Sequence, residues 1–323
     1  MAFSKMVKPE TAELLHLTVL RTERLAPHWV RVTLGGGEID RFRPMGYDQW
    51  FRLFLPIGGE AGLERVPAKA NRMFGYLKFL RIPDGERPVM RNYTVRAYRP
   101  ATPETGAELD VDFVLHGSAA DGTAGPASRW AETCAPGEHV LIIDEGLTFN
   151  PERGTDRVVL VGDETALPAI ASISASLPAD AAGTAIIEVP SAEDALEFAH
   201  PSGLDVVWIV RPHEIPPGVL ALDALGRTAL PDAPFHAYAA GEQSLASGVR
   251  KQLVGERGVD KNAVSFCGYW KIGAASPRLE GRPRGRRRAP RLRPGTASET
   301  GHDTPGRKRP PRRVVGNLRS CAR

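Results

Sequence analysis

The stretch Arg91-Asn92-Tyr93-Thr94-Val95-Arg96 sets a cation, an aromatic ring and a hydroxyl within one strand-like run. Side chains alternate along a strand, so Arg91 and Tyr93 share a face and Thr94 takes the other, at the strand's edge. A flat, phosphate-bearing cofactor asks for such a set: a guanidinium for phosphate, a ring to lie against, and a donor for a ring heteroatom. A surface arginine beside a sheet tyrosine would look the same, so the weight falls on the motifs downstream.

Four further constellations follow in order. Asp112-Phe113-Val114-Leu115-His116-Gly117 reads as a strand ending in His-Gly, and Gly125-Pro126-Ala127-Ser128-Arg129-Trp130 as a loop opening a helix. Proline suits a first helical turn, and the N–H groups of Ala127 and Ser128, with the Ser128 hydroxyl, could hold a pyrophosphate there. An ordinary loop with a helix cap is the other reading. Gly162-Asp163-Glu164-Thr165-Ala166-Leu167-Pro168 lies at the carboxyl end of the first parallel strand, where open α/β sheets bind ligands. Asp163 and Glu164 stand where a dinucleotide fingerprint has glycines. Two carboxylates repel phosphate, so the nicotinamide end of a dinucleotide fits better here; Asp163 or Thr165 could equally be a helix cap. Gly241-Glu242 repeats the strand-end pattern, with Arg250 and Lys251 two turns on. Gly268-Tyr269-Trp270-Lys271 ends the last strand and brings an aromatic ring to the sheet's carboxyl edge, for function or for packing.

The elements that must position these residues fall into two patterns. Residues 12–150 read as antiparallel β, with runs at 15–20, 29–34, 50–55, 93–98, 109–115 and 140–143 separated by Gly, Pro and Asp clusters. That spacing predicts a small barrel or sandwich. An excursion at 57–90 is too long for a hairpin and is expected to lie over the cofactor or to be partly mobile. After a linker at 150–154, residues 155–273 alternate strands (158–161, 185–189, 206–210, 236–240, 264–269) with helical patterns (164–177, 192–198, 242–253). Alternation of this kind predicts a parallel sheet with crossover helices.

Composition narrows the classes further. The chain has 323 residues and a formal charge of +4. Fourteen arginines and one lysine against Glu280, Glu299 and Asp303 give residues 274–323 a charge of +12, leaving −8 on residues 1–273. The high isoelectric point therefore belongs to a basic Arg/Pro-rich tail, expected to be disordered, and nucleic acid is not an expected partner of the folded part. The abrupt change after Gly273 also suggests an altered reading frame. No apolar run approaches the ~20 residues of a membrane span, and residues 1–10 lack the apolar core of a signal peptide, which predicts a cytoplasmic protein. Three cysteines, with no C-x-x-C pair, exclude a disulfide framework and suit a reducing compartment. No catalytic triad, metal-ligand cluster or Walker loop is apparent.

The ordered motifs R-N-Y-T, D-F-V-L-H-G, G-P-A-S-R-W-A, G-D-E-T-A-L-P-A and G-Y-W-K resemble the siderophore-interacting proteins, flavin-dependent ferric-siderophore reductases related to ferredoxin-NADP reductases. The resemblance runs from about Leu15 to Gly273. It implies a six-stranded antiparallel barrel binding FAD, followed by an α/β domain for NADH or NADPH. By position, Arg91 would pair with flavin phosphate, Tyr93 would lie along the isoalloxazine and Thr94 would reach its reactive edge. His116 and Gly117 would border the flavin, with Ala127 and Ser128 on the pyrophosphate. Thr165 would help shape the nicotinamide pocket, beside the strand-end candidates Asp163, Gly241 and Glu242, and Trp270 would pack near the flavin's far face. Arg52, Arg129 and Arg250 fall where the family holds anionic ferric siderophores, although solvated surface arginines would look alike. The closing helix expected after Gly273 is not supplied by the basic tail.

These residues imply reduction of a ferric siderophore. A nicotinamide would reduce the flavin, and the flavin would pass single electrons to Fe(III), a job that needs no acid–base side chain. Ferredoxin is a possible donor in place of the nicotinamide, and a monomer is expected. A general flavin or quinone reductase, or a siderophore-binding protein without flavin, are the alternatives.

Overall fold

The computed structural model describes residues 6–56, 59–117 and 124–273. The expectations for the basic tail, and for the loop between Gly117 and Ala124, lie outside the described residues.

The amino-terminal half is one antiparallel sheet of seven strands: β1 (Leu14–Ala26), β2 (Trp29–Gly35), β3 (Trp50–Leu55), β4 (Val89–Thr94), β5 (Ala97–Arg99), β6 (Glu108–Val114) and β7 (His139–Gly146). Their order is β4-β3-β7-β1-β2-β6-β5, which sets two consecutive strands at opposite ends of the sheet. The run expected as a single strand over 93–98 is therefore two. It breaks at Val95 and Arg96, whose N–H groups bond Gln49 O at 2.8 Å and Asp110 O at 2.9 Å. That crossing closes the sheet into a barrel, and Tyr93 meets Phe113 of β6 with ring centroids 4.3 Å apart. Alternation fills the interior with Leu15, Leu17, Val32, Leu34, Phe51, Leu53, Leu109, Val111, Phe113, Val140 and Ile142.

Outside the barrel, residues of the long excursion include α1 (Met73–Phe79). They pack on the outward face of β3 and β7, where Phe54, Leu141 and Ile143 meet Leu63, Val66, Ala70, Phe79 and Ile82. Arg91 and Tyr93 pair with Leu53 and Phe51, so they share those residues' inward face. The excursion thus covers the face of β3 and β7 opposite Arg91 and Tyr93. After β6 comes α2 (Pro126–Thr133), with proline in its first turn.

The second half is a parallel sheet in the order β10-β9-β8-β11-β12. Its strands are β8 (Arg157–Asp163), β9 (Ala182–Val189), β10 (Gly203–Val210), β11 (Phe235–Glu242) and β12 (Val264–Trp270). The helices are α3 (Leu167–Ser176), α4 (Val219–Arg227) and α5 (Gln243–Arg250). The helix expected over 192–198 is only a short 3-10 turn, Ala192–Asp194. Asp194 is spent elsewhere: it accepts hydrogen bonds from Ser191 and from His28 of the barrel.

The two halves share a core. Trp29 of β2 is fully buried among Phe149, Leu160, Ile170, Ile187 and Tyr238, and α3 is buried all round because it lies in this seam. Asp48 of the barrel accepts hydrogen bonds from the Thr148 and Phe149 amides, and Tyr47 N donates to Ser176 Oγ at 2.9 Å.

Candidate functional site

The motifs converge on the seam. β4 is an end strand, so the backbone edge of Arg91, Asn92, Tyr93 and Thr94 is paired by β3 on one side only. Tyr93 is packed against the barrel core, and burial raises its phenol well above the usual range. Thr94 is buried and lies within hydrogen-bond reach of Tyr269, whose hydroxyl is 2.7 Å from that of Tyr238. His116 follows β6, and burial pushes its imidazole below the ordinary value. Gly117 takes φ +75°, a left-handed turn that glycine adopts without strain.

Trp270 ties the halves together. Its ring centroid is 6.3 Å from that of His116, and its Nε1 donates to Asp163 Oδ2 at 3.0 Å. Asp163 is fully buried at the end of β8. Its Oδ1 accepts from Thr165 N at 2.9 Å and Thr165 Oγ1 at 2.6 Å, and its Oδ2 also accepts from Glu242 N at 2.6 Å. All four lone-pair directions are thus used. Burial and then the neighbouring Glu164 push Asp163 up to about 7, against the lowering effect of these donors. Gly241 takes φ +120°, and a Cβ there would come within 2.5 Å of the Asp163 carboxyl carbon. The glycine after Ala240 is a consequence of the aspartate opposite it.

Acidic residues end three adjacent strands and fill the helix starts. Asp163 caps the turn beginning at Glu164; Glu188 ends near β9 and accepts from Gly218 N at 2.8 Å and Ala221 N at 2.9 Å at the start of α4. Glu242 accepts from Ser244 N and Leu245 N at the start of α5. Arg211 bridges Glu164 and Glu188 at 3.2 and 3.0 Å. A helix N-terminus attracts phosphate, but these are already satisfied by carboxylates. Glu188 is fully buried in this network, so it offers no carboxylate to a ribose.

The barrel side has the opposite chemistry. Arg91 supplies a cation, and the N-cap of α2 is Gly125, with no side chain to cap the helix. Ala127 and Ser128 are buried in its first turn, where the Ser128 hydroxyl lies 3.4 Å from both His116 N and Val114 O. The barrel side therefore offers a guanidinium and a helix start with no side-chain cap, where the strand ends of the sheet offer carboxylates.

The arginines expected to bind substrate are spread out. Arg52 lies on the outward face of β3, paired with Glu145 at 2.6 Å and 6.0 Å from the Tyr76 ring centre. Arg129 is exposed on α2, and Arg250 sits 5.2 Å from the Phe266 ring centre on β12. Sequence reasoning passed over Tyr238, Arg211 and Asp48. Each is made important only by partners distant in the chain, so no local signal marks them.

A closed barrel with a one-sided strand edge, joined through a shared core to a parallel α/β unit, is the architecture of the ferredoxin-reductase-like flavoproteins. Residues 18–148 match the model of the siderophore-interacting FAD-binding domain, and residues 155–273 that of the siderophore-interacting protein. The chain belongs to the siderophore-interacting protein family. It is 30% identical over 260 residues to the ferric vibriobactin reductase of Vibrio cholerae, covering 80% of this chain and 89% of that protein. The solved siderophore utilization protein from T. fusca is 31% identical with a TM-score of 0.68, over 84% of this chain and 98% of that one. A ferredoxin NADP+ reductase from Neisseria gonorrhoeae, at 15% identity and a TM-score of 0.52, covers 80% of this chain and 100% of its own, and shows the fold alone.

Proposed function

We propose that this chain is an FAD-dependent reductase of ferric siderophores, taking electrons from NADH or NADPH and releasing ferrous iron. The observation that carries the reading is Trp270, which reaches from the α/β sheet to His116 of the barrel while hydrogen-bonded to the buried Asp163. That contact supports a meeting point for a ring held by the barrel and a nicotinamide held by the sheet.

Arg91, Ala127 and Ser128 would hold the flavin phosphates, and Tyr93, Thr94, His116 and Gly117 would border the ring. Asp163, Thr165, Gly241 and Glu242 would shape the nicotinamide side through the backbone they fix, and Trp270 would pack near the flavin. When bound, FAD supplies the conversion of a two-electron donor into single-electron transfers, and the protein supplies position and exclusion of water. One reduced nicotinamide then serves two ferric ions. The ferrous ion, with its lower charge, is a poorer guest for hard oxygen ligands, and the chelate loosens. Exposed Arg129 and the half-buried Arg250 give an otherwise acidic surface local attraction for anionic ferric chelates. Arg52, already neutralised by Glu145, contributes less.

The reading places the reaction in the cytoplasm of a monomeric protein, with ferredoxin as an alternative donor. Among the described residues, no helix is long and apolar enough to cross a membrane. Anaerobic reduction of the purified holoprotein with each nicotinamide, followed by a panel of ferric chelates, tests the proposal. Reduction of quinones with no turnover of any ferric siderophore would point instead to a general flavin reductase. Failure to take up FAD under any reconstitution condition would leave only a binding protein.

A further inference from the structure

On the face of the barrel away from Arg91 and Tyr93, α1 presents a surface that the reductase reading does not use. Phe79 faces the barrel, packing on Phe54 with centroids 5.4 Å apart, and Gly75 backs onto the preceding turn, where a Cβ would strike the Lys69 carbonyl oxygen. At ~100° per residue, Met73, Leu77 and Phe74 fall within one arc on the opposite side. They are 75%, 45% and 81% exposed. Lys69, Arg72, Lys78 and Arg81 flank them in the sequence, all exposed, and none forms an ion pair among the described residues. Residues 66–83 hold these four cations and no acidic residue, on a body whose first 273 residues carry −8.

We propose that α1 and its cationic flanks are a membrane-docking surface, seating Met73, Phe74 and Leu77 in the interface of an anionic lipid bilayer. Three side chains projecting from a short helix cannot fill the ~800 Å² that each partner of a stable protein interface buries. They are enough to enter the headgroup and acyl boundary, where an apolar arc flanked by Lys and Arg finds both its solvents. The charge decides between lipids, since a segment free of acids is drawn to anionic headgroups and gains nothing from neutral ones. Phe79 fixes the helix on the barrel and Gly75 on the turn at Lys69, so the apolar tips are presented without a folding cost.

Flotation of the full-length protein with vesicles of phosphatidylcholine alone, and of phosphatidylcholine with phosphatidylglycerol, tests this at physiological salt. The unmodified protein is expected to float with the anionic vesicles only. The variant Met73→Ser, Phe74→Ser, Leu77→Ser is expected to lose at least about tenfold in partitioning. Replacing Lys69, Arg72, Lys78 and Arg81 by Gln should cost about fivefold for each charge removed. Both variants should keep the melting temperature, since the substitutions lie on the surface. The basic residues 274–323 are common to every sample, so equal flotation of the wild type and the serine variant would assign binding to them and overturn the proposal. Flotation of neither protein would overturn it as well.

Discussion

Trp270 and Asp163 are joined by a 3.0 Å hydrogen bond from indole Nε1 to carboxylate Oδ2, which links the last strand of the sheet to its first across the strand between them. The indole therefore cannot swing without breaking a bond to a carboxylate that is already buried. Desolvating an acid is costly, and the four donors around Asp163 offset that cost only while all are in place.

Replacing Asp163 by Asn keeps the shape but turns an acceptor into a donor facing Glu242 N, Trp270 Nε1 or Thr165. We expect Trp270 to be released, and a net change in stability of about 1–3 kcal/mol from the unsatisfied groups, reduced by removal of the buried charge. Tryptophan fluorescence of the holoprotein, read against Trp270→Phe, measures the release. An unchanged emission spectrum in Asp163→Asn would mean that the indole is held by packing alone.

Gly241 is a sharper case. Alanine there meets both the positive φ and the Asp163 carboxyl group, and we expect a loss of ~3 kcal/mol or more. Gly85 has nothing within 4 Å of an added Cβ and no positive φ, so Gly85→Ala should be neutral or slightly stabilising. Urea midpoints of the two variants give the comparison. Equal midpoints would show that the carboxylate yields freely.

Acid–base behaviour follows from the same group. Asp163 is pushed up to about 7 by burial and Glu164, and Asp144 up to about 6, chiefly by burial. Between the ordinary aspartate value and these raised ones the folded chain binds protons that the unfolded chain releases. Their contribution therefore weakens as pH rises from about 4 to about 7 and is level above that. His236 acts in the other sense: burial lowers it to about 4, so its neutral form costs stability as pH falls from about 6.5. The melting temperature of Asp163→Asn relative to wild type should accordingly rise between pH 4 and 7. A flat difference would place the Asp163 proton elsewhere.

Arg91→Ala is expected to release flavin during purification, whereas Arg250→Ala should keep flavin and weaken turnover of ferric siderophores. Flavin absorbance per protein chain separates the two. Equal flavin loss in both variants would reverse the assigned roles.

Much of this arrangement was legible in the residue order. The strands at 29–34, 50–55 and 109–115 lie within one residue of those observed, because half-buried strands announce themselves by alternation. The parallel strands were legible as short apolar runs. The break at Val95 and Arg96 was not, since β-branched and aromatic residues continue through it and the bend is imposed by Gln49 and Asp110 from other strands. Residues 219–227 were passed over as a helix after Pro216-Pro217-Gly218; their start is fixed by Glu188, 30 residues earlier at Gly218. Residues 192–198 were expected to be helical on composition, and the demand of His28 for Asp194 overrides it. At the site, the motif positions were visible, but that Glu188 and Glu242 are helix caps depends on contacts made only by folding.

Trp29 carries a last implication. An indole from the amino-terminal barrel is entombed among side chains of the carboxy-terminal sheet, so cutting the polypeptide near Asn150 would leave one fragment with a greasy plug and the other with a hole. Calorimetry should then record one melting event for both halves together, and neither should persist as an autonomous module.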